Sequence, residues 1–195
     1  QFISSTGIRM MLRKIIDQRD EQFRYFQKAI DKQGFLQELE SMISEFKRHC
    51  VTPEILKEQI TYTEENIPLQ NKLYDLHYIY DQLTKLLKYK YIDGEDQLQF
   101  LREKIKDTKL FKGAEIYLDG FHRFTPSELE IMTELMKTCK NVTVVLTLDE
   151  RELDTDLSEL DLFYQTKETY FTLRNIADEH HIPIENPIVL DLQKG

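Results

Sequence analysis

Apolar positions divide this chain into two regimes. Up to about residue 110 they recur at helical spacing. Phe35, Leu36, Leu39, Met42, Ile43 and Phe46 share one face of a helix. Thr52-Pro53-Glu54 supplies a capping hydroxyl, a proline for the first helical position and an acid for the first turn of another. Leu69, Leu73, Leu76, Tyr80, Leu83 and Leu87 follow at alternating spacings of four and three. Such a seam packs against a neighbouring helix, and at about three heptads it suits an intramolecular bundle. Asp93-Gly94 is expected to break that helix, and Leu98, Leu101 and Ile105 mark the next. After Gly113 the rhythm changes. Glu115 to Leu118 reads as a short buried strand and Thr125-Pro126-Ser127-Glu128 as a capping box opening a helix. Val142 to Leu148 is apolar and β-branched, as in a strand covered on both faces of a parallel sheet. A helix is expected over 161–179 with Phe163, Thr166, Tyr170, Leu173 and Ile176 inward, then a last strand at Pro187–Leu190. A β-α-β-α-β order predicts an α/β layered sheet.

Composition narrows the classes. The 195 residues suit one domain, or a domain with a subdomain. A net charge of −9 argues against a uniformly basic nucleic-acid coat, yet leaves room for a local basic groove. Cys50 and Cys139 form no CxxC pair and sit near no histidine cluster, which excludes a disulfide framework and disfavours a metal site. No stretch reads as a signal peptide or a membrane span, so a cytoplasmic protein without membrane contact is expected. The sequence opens on Gln1 rather than Met and reads as a piece of a longer chain.

Candidate chemistry is sparse. No GxxxxGK[ST] phosphate loop, nucleophile elbow, HExxH or EF-hand loop occurs. His180-His181 at a helix end diverge, making a poor chelate but a favourable helix C-terminal charge. Asp119 is the sharp candidate. An acid at the C-terminal end of a parallel strand occupies the crevice where α/β sheets bind ligands, and there it could hold magnesium through water. It equally suits an acid capping the turn before the Thr125 helix, and the local residues leave both readings open.

Leu118-Asp-Gly-Phe-His-Arg-Phe-Thr-Pro126 resembles motif II of the superfamily 1 helicases, V-D-E-F-Q-D-T-N-P. Asp119, Phe121 and Pro126 match; Gly120 replaces the glutamate, His122 the glutamine and Arg123 the second aspartate. Further on, Val144-Val-Leu-Thr-Leu-Asp149-Glu150 lies where that family has V-V-G-D-P-D-Q, with Asp149 matching and Glu150 at the phosphate-sensing glutamine. Tyr91-Ile-Asp93-Gly-Glu-Asp96-Gln-Leu98 resembles the D-F-x-D-L-L segment. The whole chain is similar to the AddB-type (AddB/RexB) component of the bacterial ATP-dependent helicase/deoxyribonuclease, most closely over 114–150. That resemblance implies a partial RecA-like P-loop parallel sheet (helicase domain 1A) with an inserted all-helical subdomain (1B). Residues 1–16 would be an N-terminal helix of 1A, 17–110 the 1B-like insertion and 111–195 the remainder of 1A. It implies a bacterial cytoplasmic heterodimer with an AddA-type motor subunit, acting on single strands and duplex ends in double-strand break repair. In the family the AddB-type component scans the single strand for Chi. ATP, Mg2+ and a 4Fe-4S cluster in the nuclease domain belong to the parent family, and no cofactor is expected within this stretch. The nucleotide-like positions would be Asp119, Gly120, His122, Asp149 and Glu150, with no catalytic residue among them. Gly120 cannot polarise a water, and Glu150 would repel a γ-phosphate.

Single-strand grooves combine basic residues with aromatic platforms. Lys85, Lys88, Tyr89, Lys90 and Tyr91 offer that mixture; Arg9, Arg13 and Lys14 form a basic helix face, and Arg123 lies on a turn. Each charge run also fits a solvated helix face, and Tyr89 and Tyr91 also fit a core or an interface. Three functional readings stand: a DNA-engaging motor module that has lost catalysis, a scaffold docking the motor subunit without touching DNA, and a truncated but live ATPase. If a central strand is missing from the sheet, the exposed edge is expected to promote pairing between copies through the 114–148 strands.

Overall fold

The computed structural model describes residues 2–18, 23–63, 65–88, 90–149, 153 and 158–190. They are mostly helical, with one small parallel sheet, and fall into two compact units, 1–99 and 100–195.

The first unit is a helical bundle. Helix α1 (Ser5–Asp17) starts where the Ser4 hydroxyl accepts the Gly7 N–H, and it buries Ile8, Leu12, Ile15 and Ile16. Helix α2 (Phe35–Arg48) follows Gly34, whose φ of 88° places it in the left-handed region that glycine tolerates. Helix α3 (Pro53–Thr61) is capped by Thr52 with proline in its first turn, as expected. Helix α4 (Ile67–Leu87) carries the seam: Leu76, Tyr80, Leu83 and Leu87 are buried and Leu73 is half-buried. Leu69 is 41% exposed, because the seam's first position lies at the start of the helix. α1 packs on α2 and α4, and α3 on α4.

α4 ends at Leu87, before Asp93-Gly94, and helix α5 (Gly94–Asp107) begins at that pair. Asp93 acts as an N-cap rather than a breaker: its Oδ1 accepts the N–H groups of Glu95 (3.1 Å) and Asp96 (2.8 Å). The division between units falls inside α5. The packing division groups α1 with the helical residues.

In the second unit β1 (Glu115–Leu118) pairs in parallel with β2 (Asn141–Val144), joined by helix α6 (Pro126–Thr138). Three strand expectations are corrected. β1 alternates exposed and half-buried positions, with Tyr117 68% exposed, instead of being buried. β2 stops at Val144, although the Val145 N–H still donates to the Leu118 carbonyl at 2.8 Å. Residues 187–190 form no strand, and Ile188 is 87% exposed. The shared cause is sheet width. Among the described residues the sheet has two strands, which give an apolar run too few neighbours to cover both faces, so a run that reads as interior stays partly solvated here. Helix α7 (Tyr164–Glu179) starts three residues later than expected and turns Thr166, Lys167, Thr169 and Ala177 inward. Phe163, Tyr170, Leu173 and Ile176 are only half-buried.

Candidate functional site

Parallel pairing sets the register Leu118↔Val144, so the C-terminal ends of both strands lie at one edge. Asp119 follows β1 directly. It is exposed and has no hydrogen-bond or ion-pair partner among the described residues. Gly120 takes φ +80°, and a Cβ built there would meet nothing within 4 Å. The space a catalytic side chain would fill is therefore open, but the backbone is in a conformation that penalises any side chain by about 1–2 kcal/mol.

Beyond it the chain is held closely. Phe121 stacks on buried Phe124 at 5.2 Å between centroids and 15° between planes. The capping box is realised in both directions: the Thr125 N–H donates to Glu128 Oε2 (2.7 Å), and the Glu128 N–H donates to Thr125 Oγ1 (3.4 Å). Glu128 is the acid that caps α6, and Asp119 is not part of that cap. His122 and Arg123 are exposed side chains on this turn. Asp149 is half-buried beyond β2, and Glu150 lies outside the described residues.

Helix α7 ties the two strand ends together. Thr169 Oγ1 donates to the His122 carbonyl (2.8 Å) and Thr166 Oγ1 to the Thr147 carbonyl (2.8 Å). Between them Lys167 is wholly buried, its Nζ 3.4 Å from Asp161 Oδ2. The threonine contacts and the buried lysine were not anticipated. Helical spacing places Thr166 inward, but not its carbonyl partner, nor the burial of Lys167 and Thr169.

The described residues contain no group of three or more His, Cys, Asp or Glu placed to share a metal, and Asp119 stands alone at its turn. A 4Fe-4S cluster requires four cysteine thiolates, and the chain has only Cys50 and Cys139.

The basic candidates occupy several places. Arg9 and Arg13 project from α1 into an open cleft of about 310 Å3, also lined by Lys32 and Gly34. Both are compensated: Arg9 lies 3.5 Å from Glu40, and Arg13 lies 2.8 Å from Asp17 and 3.6 Å from Asp31. Lys14 is exposed. Lys85 pairs with Asp81 at 2.6 Å, while Lys88 and Lys90 are exposed just after α4. Tyr91 packs half-buried against the helical core, which withdraws part of its ring from any base, and Tyr89 lies outside the described residues. The Tyr91–Leu98 segment joins α5 to α2, since Lys47 Nζ lies 2.6 Å from both Asp93 Oδ2 and Asp96 Oδ1. Arg48 adds a bond to Glu95, which holds its guanidinium pKa above the usual value.

Comparison with known proteins adds what this geometry alone does not name. The family model for the N-terminal part of AddB matches residues 1–194. The chain is 48% identical over 202 residues to the B subunit of the ATP-dependent helicase/deoxyribonuclease of Oceanobacillus iheyensis, covering 100% of this chain and 17% of that protein. The proteins of the same name from Bacillus mycoides and Bacillus cereus are each 45% identical over 194 residues, 96% of this chain and 17% of theirs. The chain thus spans about one sixth of the relatives it matches. Whole-chain similarity at this level, together with the Asp119-Gly120 turn after a parallel strand, places it: the chain belongs to the AddB N-terminal family.

Proposed function

We propose that this chain is a catalytically degenerate motor module of the B subunit of a helicase/exonuclease complex that resects DNA ends for recombinational repair. In this reading it engages single-stranded DNA and works beside an AddA-type subunit in the bacterial cytoplasm. No helix among the described residues is long and apolar enough to cross a membrane. The 1A assignment of residues 1–16 and 111–195 and the 1B assignment of 17–110 follow the family resemblance. A parallel strand pair joined by α6 supports the former for the second stretch. The parent protein would use ATP and Mg2+ and carry its iron–sulfur cluster in its nuclease domain, outside this stretch.

One observation carries the loss of catalysis. Asp119 stands at the strand end where a motor holds magnesium, and the next residue is a glycine in left-handed conformation. A positioned general base contributes about 10²–10⁴-fold, and none is present at this turn. The expected result is no ATP turnover by the 195-residue chain, with or without single-stranded DNA. Turnover that disappears in Asp119→Asn would establish the live-ATPase reading instead.

The scaffold reading is favoured by a different observation. Arg9, Arg13 and Lys85, three of the basic candidates, already hold carboxylate partners. Salt separates the two readings, because phosphate contacts weaken steeply with ionic strength and apolar docking does not.

A further inference from the structure

The opposite end of the sheet carries a feature the motor reading does not use. The loops entering β1 and β2 meet there. The Lys140 N–H donates to the Ala114 carbonyl at 2.9 Å, and Glu115 is in register with Asn141. Around that junction stand Lys106 at the end of α5, Lys109 and Lys112 in the turn before β1, and Lys137 and Lys140 around the end of α6.

Their charges are unevenly balanced. Lys106 and Lys137 share one carboxylate oxygen of Glu134, at 3.4 and 3.7 Å. Lys140 pairs with Glu115 at 2.7 Å. Lys109 and Lys112 are exposed and have no carboxylate partner among the described residues. With Asp107 beside Lys106 included, these five lysines and three acids leave an excess of two positive charges, on a chain whose net charge is −9. Cations are favourable at helix C-termini, which accounts for Lys106 and Lys137. That does not account for Lys109 and Lys112, which lie in the turn beyond α5.

We propose that Lys109, Lys112 and Lys140 form a contact for the phosphate backbone of single-stranded DNA at the N-terminal ends of β1 and β2. This site lies about 13 Å, one strand length, from Asp119. Flexible ammonium groups spread over two adjoining loops suit a repeating line of phosphates, which demands charge but no shaped pocket. The Glu115 carboxylate acts as a competitor: a phosphate reaching Lys140 displaces it. An acidic protein surface is the other polyanion that such lysines could meet, and the measurement below separates the two.

The inference rests on the single-strand reading above. The test is anisotropy of a labelled oligothymidylate with the 195-residue chain over a salt series, each variant first checked for an unchanged far-UV spectrum. Lys109→Glu/Lys112→Glu is expected to weaken binding about tenfold near 100 mM salt and to flatten the log–log salt slope by about 1.4, at about 0.7 per phosphate contact. Glu115→Gln is expected to tighten binding about twofold by freeing Lys140. Wild-type binding left unchanged by all three substitutions would overturn this site while sparing the single-strand reading. No wild-type binding at low salt would overturn both. Loss of polyglutamate binding in the lysine double variant, with oligothymidylate binding intact, would reassign the patch to an acidic protein partner.

Discussion

Gly120 has two properties that act in different directions. Lacking a side chain, it offers no carboxylate to orient a water. Having φ +80°, it lets the chain turn sharply after Asp119 and deliver Phe121 onto Phe124. Restoring a glutamate there is therefore not a simple reversal. Gly120→Glu is expected to lower stability by about 1 kcal/mol, read as a shift in the urea midpoint, with no ATP turnover gained. An unchanged midpoint would show that the turn relaxes, and new turnover would show that the rest of a motor site is intact. At this scale some of the site was legible. Thr125, Pro126 and Glu128 act within one turn of each other, so their spacing alone announces the capping box. Thr166, Lys167 and Thr169 act on carbonyls and a carboxylate in other loops. Helical spacing turns Thr166 inward, but nothing local says which carbonyl its hydroxyl reaches, and nothing marks Lys167 or Thr169 as buried.

Among elements, α4 contributes most to holding the first unit together. Its seam was readable because a periodic apolar stripe is a local property. Asp75, on the same helix but outside the seam positions, is buried as well, which the stripe does not announce. It is 2% exposed and accepts the backbone N–H groups of Arg24 (3.1 Å), Tyr25 (2.7 Å) and Phe26 (3.1 Å). Three amides satisfy the buried carboxylate, and the carboxylate in turn fixes the path of the 24–26 segment over the bundle. Asp75→Ala is expected to cost about 2–3 kcal/mol, because it leaves buried amides without an acceptor. A thermal midpoint lowered by about 6–10 °C checks this, and a drop under about 2 °C would mean that those amides find water. The strands were the least legible elements. Val142 to Leu148 has the composition of an interior strand, but whether a strand is interior depends on neighbours that lie elsewhere in sequence. Only Asn141–Val144 pairs, and Pro187–Leu190 does not pair at all.

For the molecule as a whole, charge organisation bears most directly on function. An acidic total conceals basic clusters of two kinds. In one, on α1 and α4, arginine and lysine are matched to aspartate and glutamate, as on any soluble helical surface. In the other, at the N-terminal ends of the strands, the matching is incomplete. On the proposed reading, this distribution directs DNA to the second unit, against a net charge of −9 over the whole chain. The most direct test of the central claim is the affinity of the 195-residue chain for single-stranded oligothymidylate from about 50 to 300 mM salt, with ATP turnover recorded in the same samples. Binding is expected whose log constant falls linearly with log salt, with a slope of about −2 for three contacts, and no turnover at any salt. A folded chain that fails to bind at the lowest salt, or that hydrolyses ATP when DNA is added, would contradict that claim.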